Sequence, residues 1–201
     1  MLAILDCSYR LLGSLSPECA PMTCEACSFE TERLSVSEWQ AQPTDQREQD
    51  LVQVVVSVLT ERVTRTLPTP WQGDYDAHRA GEWIADRNRE GPTLLAVERS
   101  TGQAVGFVIL FESITGCGNG VDVRLGYVLA ESAWGKGLAS ELIEGFVRWC
   151  RTRAEIRSLV GGVGKENAAS VRVLEKNGFV LAAADRCDRT ADQIFLLRLQ
   201  P

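Results

Sequence analysis

The sequence is short of residues and segments that several protein classes require. It contains a single histidine, His78, so neither a Ser-His-Asp triad nor a zinc site built on a histidine pair is expected. No apolar run approaches the roughly eighteen residues of a membrane span, and the first residues lack the basic segment and apolar stretch of a signal peptide. We therefore expect a cytoplasmic protein that does not bind a membrane, with His78 structural or exposed.

The 27 acidic residues outnumber the 21 basic ones. The formal net charge is -6 at pH 7, whereas proteins that bind a nucleic-acid backbone rely on a broad basic surface. Nucleic acid is therefore disfavoured as the main partner, and an amine substrate suits the charge better. With 201 residues, of which 45% are hydrophobic, the chain can bury a sizeable core and is close to the usual size of one domain.

Seven cysteines, an odd number, are scattered along the chain, which is typical of reduced thiols rather than of a disulfide framework. Only the spacing of Cys24 and Cys27, with Cys19 nearby, is compatible with a zinc site within residues 7–27. No second cysteine or histidine pair completes such a site, so we expect no metal.

The segment before the patterned part of the chain carries no motif. We interpret residues 1–28 as an N-terminal extension without a function of its own and residues 29–201 as the domain. Met22 is a plausible alternative start, so residues 1–21 are expected to be dispensable.

Apolar spacing predicts alternating helices and strands. Strands are expected at residues 31–36, 93–98, 104–111, 121–129, 158–163, 179–184 and 193–199. Helices are expected at residues 49–63, from a cap at Asp74 or Asp76 to about residue 90, from about residue 135, and at residues 167–177. The turn STGQ makes residues 93–111 a hairpin, which is antiparallel. The pattern indicates a mixed α/β domain.

The segment WGKGLAS, residues 134–140, joins a predicted strand to a predicted helix. Its small residues leave the backbone bare, and the first N–H groups of a helix are unpaired at the positive end of the helix dipole. An anion can replace the missing partners, so the segment predicts a phosphate site.

Other interpretations of this loop are weaker or remain open. The nearest match to a Walker A loop, LVGGVGKE, has Leu159 in place of the first glycine and Glu166 in place of the hydroxyl residue, and is rejected. A dinucleotide loop fits Gly135 and Gly137 but has Ser140 in the third place and follows a hairpin. That interpretation stays open, as does a loop that only lets the helix pack closely on the strand.

Two segments, YVLAESAWGKGLASELI and NAASVRVLEKNGF, resemble the GNAT superfamily of acetyl-coenzyme A dependent N-acetyltransferases. The signature of that superfamily, Q/R-x-x-G-x-G/A before a helix, is occupied by residues 134–139, with Trp134 in place of the usual glutamine or arginine. FETERLSV, LPTPW and the N-x-x-S of Asn167 to Ser170 are similar to the branch of ribosomal-protein N-terminal acetyltransferases of the Rim type. The resemblance spans about residues 29–200.

The resemblance implies a mostly antiparallel twisted sheet of six to seven strands flanked by about four helices. It also implies acetyl-CoA as co-substrate, with the pyrophosphate on the loop and the pantetheine arm beside the preceding strand. The implied cofactor-binding residues are Val128, Leu129, Trp134, Gly135, Lys136, Gly137, Leu138, Ala139, Ser140, Asn167 and Lys176.

The implied chemistry is direct attack of a primary amine on the thioester in a ternary complex. Ser170 either protonates the leaving thiolate or completes the helix cap with Asn167. A backbone N–H near Tyr127 or Val128 is the candidate donor to the oxyanion.

The resemblance also implies a base on the strand before Gly126 and a wall of the acceptor site in the segment between the first two helices. Asp122 and Glu131 are the acids nearest to Gly126 in the sequence. Asp122 shares a strand face with Arg124, so it is either the base or one member of an ion pair on the surface. Trp71, in LPTPW, either walls the acceptor site or packs under its loop.

The acceptor is a protein N-terminus, a polyamine or antibiotic amine, or an amino acid. A protein α-amine has a pKa near 8 and is about a tenth neutral at pH 7, whereas a lysine amine near 10.4 is neutral in about one molecule per 2,500. A site without an obvious strong base therefore favours α-amines. The alternative to an enzyme is a non-catalytic acyl-CoA sensor with the same fold, and a homodimer is compatible with either.

Overall fold

The computed structural model is a mixed α/β protein, and it describes residues 2–3, 27–39, 47–113, 120–164, 166–182 and 192–199. The helices of these residues are α1 Arg47–Val58, α2 Glu61–Thr64, α3 Ala77–Glu90, α4 Leu138–Cys150 and α5 Ala168–Lys176. The strands are β1 Leu2–Ala3, β2 Ser28–Glu30, β3 Leu34–Glu38, β4 Thr93–Glu98, β5 Ala104–Ser113, β6 Val121–Leu129, β7 Ile156–Gly164, β8 Val180–Leu181 and β9 Asp192–Arg198. Among the described helices, none is both long and apolar enough to cross a membrane.

One sheet contains all of these strands, in the order β2-β3-β4-β5-β6-β7-β9-β8, with β1 paired to β6. Every pair is antiparallel except β6 and β7. These two run parallel from Val121 opposite Ile156 to Leu125 opposite Gly161. Beyond Leu125, no pair joins the described residues of β6 and β7, and the sheet opens there. The predicted mixed and mostly antiparallel fold is confirmed.

Two apolar cores lie on opposite faces of the sheet. One contains Phe146 of α4 and Leu174 of α5, and the other contains Val55 of α1. Because side chains alternate along a strand, Tyr127 of β6 belongs to the first core and Val128 to the second. The end of β6 therefore touches both helical layers.

The first predicted strand, residues 31–36, begins only at Leu34, where β3 starts, and a separate strand β2 ends before it at Glu30. Thr31 lies in the turn between them, and its side chain accepts a hydrogen bond of 2.9 Å from the N–H of Leu34. A threonine that bonds a backbone group locally favours a turn over a continuous strand. The two unpredicted strands β1 and β2 bring the described strands to nine, above the six to seven expected.

Two predicted helices also have different bounds. The helix expected at residues 49–63 is interrupted after Val58, because the side chain of Thr60 caps the short α2 by accepting the N–H of Val63 at 3.4 Å. This interruption makes five helices instead of about four. The helix expected from about residue 135 begins at Leu138, because Gly137 has a left-handed φ of +77°.

The other predicted elements agree more closely with the structure. Asp76 caps α3, accepting the N–H of Arg79 at 2.8 Å. The strand expected at residues 179–184 is Val180–Leu181, and its last two residues lie outside the described part of the chain. Residues 7–27, within which the cysteine spacing is compatible with a zinc site, lie outside the described part of the chain except for Cys27, which is buried.

Candidate active site

The loop between β6 and α4 has the local structure of an anion site. Gly135 and Gly137 both adopt left-handed backbone conformations, with φ of +72° and +77°. Within the described chain, none of the six backbone N–H groups from Gly135 to Ser140 donates to a protein acceptor. Unpaired N–H groups on such a turn and on the first turn of a helix can together bind an anion.

Trp134 ties this loop to the end of β6. Its indole Nε1 donates to the carbonyl of Leu129 at 2.8 Å, and the guanidinium carbon of Arg62 lies 5.6 Å from the ring centroid. The indole thus fixes the first residue of the loop to the strand. Trp134 occupies the signature position at which glutamine or arginine is usual.

Most of the predicted cofactor-binding residues line one small cavity of about 150 Å³. Its lining consists of Leu129, Ala133, Trp134, Gly135, Gly137, Leu138, Ala139, Ser140 and Val173. A neighbouring groove of about 400 Å³ brings Lys176 of α5 beside Gly137 and Ser140. Lys136 lies in the loop itself, and Asn167 caps α5.

The edge of β6 that faces the opening towards β7 carries a strand. Leu2 and Ala3 pair antiparallel with Val128 and Tyr127, on the strand end, residues 127–129, that is predicted to border the pantetheine arm. The backbone at this edge is therefore able to hold an extended chain. An extended arm of acetyl-CoA at this place competes with β1, so the absence of a function for residues 1–28 stays a prediction.

Two buried hydroxyl groups meet where β6 lies against α5. The hydroxyls of Tyr127 and Ser170 are both inaccessible to solvent, and neither has a hydrogen-bond partner among the described residues. They are nevertheless close to each other: burial raises the pKa of Tyr127 far above its usual range, and the hydroxyl of Ser170 offsets part of this rise. The phenol therefore stays protonated at neutral pH and is a donor, not a base.

The cap of α5 is made by Asn167, not by the hydroxyl of Ser170. Asn167 Oδ1 accepts the backbone N–H of Ser170 at 3.1 Å, whereas the Ser170 Oγ atom bonds nothing in the described chain. The Ser170 hydroxyl is therefore not used by the cap and lies beside the hydroxyl of Tyr127.

The two acids considered as the base, Asp122 and Glu131, both have partners. Asp122 accepts a hydrogen bond of 2.7 Å from Ser158 and lies 3.4 Å from the guanidinium of Arg157. It is also five residues from Tyr127, or about 16 Å along a strand. Glu131 accepts a hydrogen bond of 2.6 Å from Thr60 and pairs with Arg62 at 3.3 Å. These contacts give both carboxylates structural partners.

Trp71 is half-buried in a short turn between α2 and α3. The guanidinium carbon of Arg87 lies 4.3 Å from the centre of its ring, and the ring meets Trp83 edge-on at 5.6 Å. The contacts account for Trp71 as packing, and its role as an acceptor wall stays a prediction. His78 is 82% exposed on α3, as expected.

Sequence reasoning missed the contact of the loop with the turn between β2 and β3. Arg33 in this turn donates to the carbonyl of Lys136 at 2.9 Å and pairs with Glu141 at 2.6 Å. The contact spans more than a hundred residues, so no local pattern encodes it. One signal was present: Gly145 stands inside a helical pattern, which usually has a packing reason.

The comparisons with known proteins agree with this fold. The acetyltransferase (GNAT) domain model matches residues 43–180. The chain belongs to this family. A search by sequence among curated proteins found no significant match.

Solved structures with the same fold include three described here. A GNAT-family acetyltransferase from Bacillus anthracis is 15% identical with a TM-score of 0.65, covering 86% of this chain and 99% of that one. RimL, a ribosomal-protein α-N-acetyltransferase in complex with coenzyme A, is 17% identical with a TM-score of 0.63, covering 84% and 95%. The yncA protein from Salmonella typhimurium, solved with acetyl-CoA, is 20% identical with a TM-score of 0.57, covering 85% and 96%. At these identities the likeness establishes the fold.

Proposed function

We propose that the chain transfers the acetyl group of acetyl-CoA to a primary amine. The observation that carries the proposal is the run of six backbone N–H groups from Gly135 to Ser140 that lack an acceptor within the described chain. The pyrophosphate of acetyl-CoA is a ligand that such a run of donors binds. Family membership supports the choice, and so do the coenzyme A and acetyl-CoA complexes of RimL and yncA.

The surroundings of the loop suit the rest of the ligand. The pantetheine arm carries amide groups, and the β6 edge at Tyr127 and Val128 already holds an extended segment. The same end of β6 carries the Tyr127 hydroxyl, which lies beside that of Ser170. Lys176 supplies positive charge next to the loop.

The reaction needs a nucleophile, a stabilised oxyanion and a proton for the leaving group. The neutral amine attacks the thioester carbonyl carbon, and a backbone N–H near Tyr127 or Val128 holds the oxyanion. When the C–S bond breaks, its electron pair stays on sulfur, Ser170 donates a proton to the thiolate, and a proton from solvent restores the Ser170 hydroxyl. Tyr127 is the neighbouring donor that orients the Ser170 hydroxyl, and the proton lost by the amine passes to solvent.

The acceptor we assign is an amine of low pKa, and a protein N-terminus fits best. Both candidate bases, Asp122 and Glu131, have structural partners. A site that lacks a strong base works fastest on amines that are partly neutral in solution, and α-amines near pKa 8 meet that condition. The α-N-acetyltransferase RimL provides a parallel within the same fold.

The test is an amine panel in which only the acceptor group changes. One peptide carries a free N-terminus and no lysine, a second carries the same sequence with an acetylated N-terminus and one lysine, and a polyamine is the third acceptor. Thiol release measures turnover and mass spectrometry identifies the product. We expect acetylation of the free N-terminus, with kcat/KM rising with pH as an α-amine of pKa near 8 loses its proton.

Two outcomes oppose the proposal in different ways. Binding of acetyl-CoA without turnover on any amine indicates the non-catalytic sensor. Absence of any acetyl-CoA binding removes the phosphate site itself and with it both functions.

A further inference from the structure

The turn between β2 and β3 donates several hydrogen bonds to the carboxylate of Glu141 in α4. The Thr31 hydroxyl donates to Glu141 Oε1 at 2.6 Å, and the backbone N–H of Arg33 donates to the same oxygen at 2.7 Å. Arg33 Nε and Nη2 both lie 2.6 Å from Glu141 Oε2. Burial alone raises the pKa of Glu141, but the hydrogen bonds from Thr31 and Arg33 and the charge of Arg33 outweigh it and hold this pKa below its usual value. The carboxylate is therefore ionised at neutral pH.

Gly145 makes the close approach of this turn to α4 possible. A Cβ atom at Gly145 would lie 2.6 Å from Thr31 Cγ2 and 2.7 Å from the ring of Phe29, distances that real Cβ atoms do not adopt. The helix therefore needs glycine here for β2 to lie against it. One turn earlier in α4, this packing places Glu141 within reach of the turn.

Arg33 also reaches the loop. Its Nη1 donates to the carbonyl of Lys136 at 2.9 Å. In a planar trans peptide, the C=O and N–H groups point in opposite directions, so holding the Lys136 carbonyl also fixes the direction of the Gly137 N–H. Gly137 precedes α4 and its N–H is one of the six without an acceptor in the described chain.

We propose that Thr31, Arg33 and Glu141 form a latch that holds the loop ready for the pyrophosphate of coenzyme A. Arg33 is a positioning residue: all three nitrogen atoms of its guanidinium already contact protein oxygens. This inference rests on the proposed use of acetyl-CoA. Without the latch, the Lys136–Gly137 peptide can rotate, and only a fraction of the molecules present the competent loop, which weakens the apparent affinity by that fraction.

The test compares Arg33→Met with Arg99→Met. Arg99 is a matched control because it donates to the carbonyls of Thr31 and Glu32 in the same turn, at 3.1 and 3.4 Å, and has no hydrogen bond to the loop in the described chain. We expect Arg33→Met to raise the Kd and KM for acetyl-CoA about tenfold, with kcat within about twofold. Amide hydrogen exchange of residues 134–141 should become faster by a similar factor, whereas Arg99→Met changes neither quantity.

The readouts keep the latch separate from stability and from the proposed function. A purely structural Arg33 predicts a changed stability with an unchanged Kd, and that result overturns the latch. Unchanged hydrogen exchange in Arg33→Met overturns it as well. If Arg33→Met does not fold, Glu141→Gln replaces it against the same control. If the wild type binds no acetyl-CoA, the proposed function fails, while the exchange comparison still decides whether Arg33 orders the loop.

Discussion

Replacing Ser170 by alanine separates its catalytic role from a structural one. The hydroxyl is buried and has no partner in the described chain, and leaving a buried polar group unsatisfied costs about 1–3 kcal/mol. The variant should therefore be as stable as the wild type, or more stable by up to that amount. The helix cap survives, because Asn167 accepts the backbone N–H of residue 170, which alanine retains.

The effect on the reaction should be opposite in sign. The loss we expect is a factor of about ten to a thousand, or about 1.4–4 kcal/mol of transition-state stabilisation, towards the lower end of what a positioned acid contributes. Ser170→Ala should lower kcat by that factor and leave the Kd for acetyl-CoA nearly unchanged, because the proton is needed only as the thiolate departs. Tyr127→Phe removes the neighbouring donor and should lower kcat by a smaller factor.

Steady-state thiol release and thermal denaturation, measured on the same preparations, decide whether Ser170 acts as the acid or only contributes to stability. An unchanged kcat together with a loss of about 1 kcal/mol of stability would refute the acid assignment, because that pattern belongs to a lost helix cap. A kcat that falls in Ser170→Ala but not in Tyr127→Phe would refute only the orienting role of the phenol.

Four further outcomes are expected. Acetyl-CoA at a hundredfold excess over its Kd should stabilise the protein by about 2.7 kcal/mol. Gly137→Val should abolish this stabilisation, whereas Gly102→Val, at a similar φ of +69°, should keep it. If Gly137→Val retains the stabilisation, the loop does not bind the pyrophosphate. A chain beginning at Met22 should stay active and bind acetyl-CoA at least as tightly, because β1 occupies the edge proposed for the pantetheine arm; weaker binding or lost activity contradicts this. Asp122→Asn should keep the wild-type pH-rate profile, and a slow variant that recovers at high pH would make Asp122 the base. The pKa of Glu141 is lowered in the folded state, so its carboxylate should stabilise the fold above about pH 4.5. This stabilisation should be lost as the pH falls through the lowered pKa. Acid unfolding of Glu141→Gln, compared with that of the wild type, tests this expectation.

The sequence predicted the strands and helices wherever one period dominates. Residues 121–129 and 93–98 are apolar runs bounded by turn residues, and they are the strands β6 and β4. The bounds differed where a side chain bonds its own backbone, as at Thr31 and Thr60. A threonine hydroxyl in the same local sequence can either leave a helix or strand intact or bond the backbone and end it. Which of the two occurs depends on tertiary packing.

The phosphate loop was predictable because its chemistry lies in contiguous residues. Small residues between a strand and a helix specify bare backbone whatever the rest of the chain does. The contacts of Tyr127 and Arg33 were not predictable in this way. Each partner lies on an element distant in sequence, Ser170 on α5 and Glu141 on α4, and only the assembled sheet brings them together.

The parallel pairing of β6 with β7 has an electrostatic consequence. Parallel strands end at the same edge of a sheet, so α4 and α5, which follow them, both begin at that edge. Each helix start carries about half a positive charge, which belongs to the backbone. The start of α4 lies directly at the loop, in a chain whose formal net charge is -6. The attraction for an anion therefore does not depend on lysine and arginine alone, and replacing Lys136 and Lys176 should weaken anion binding without abolishing it.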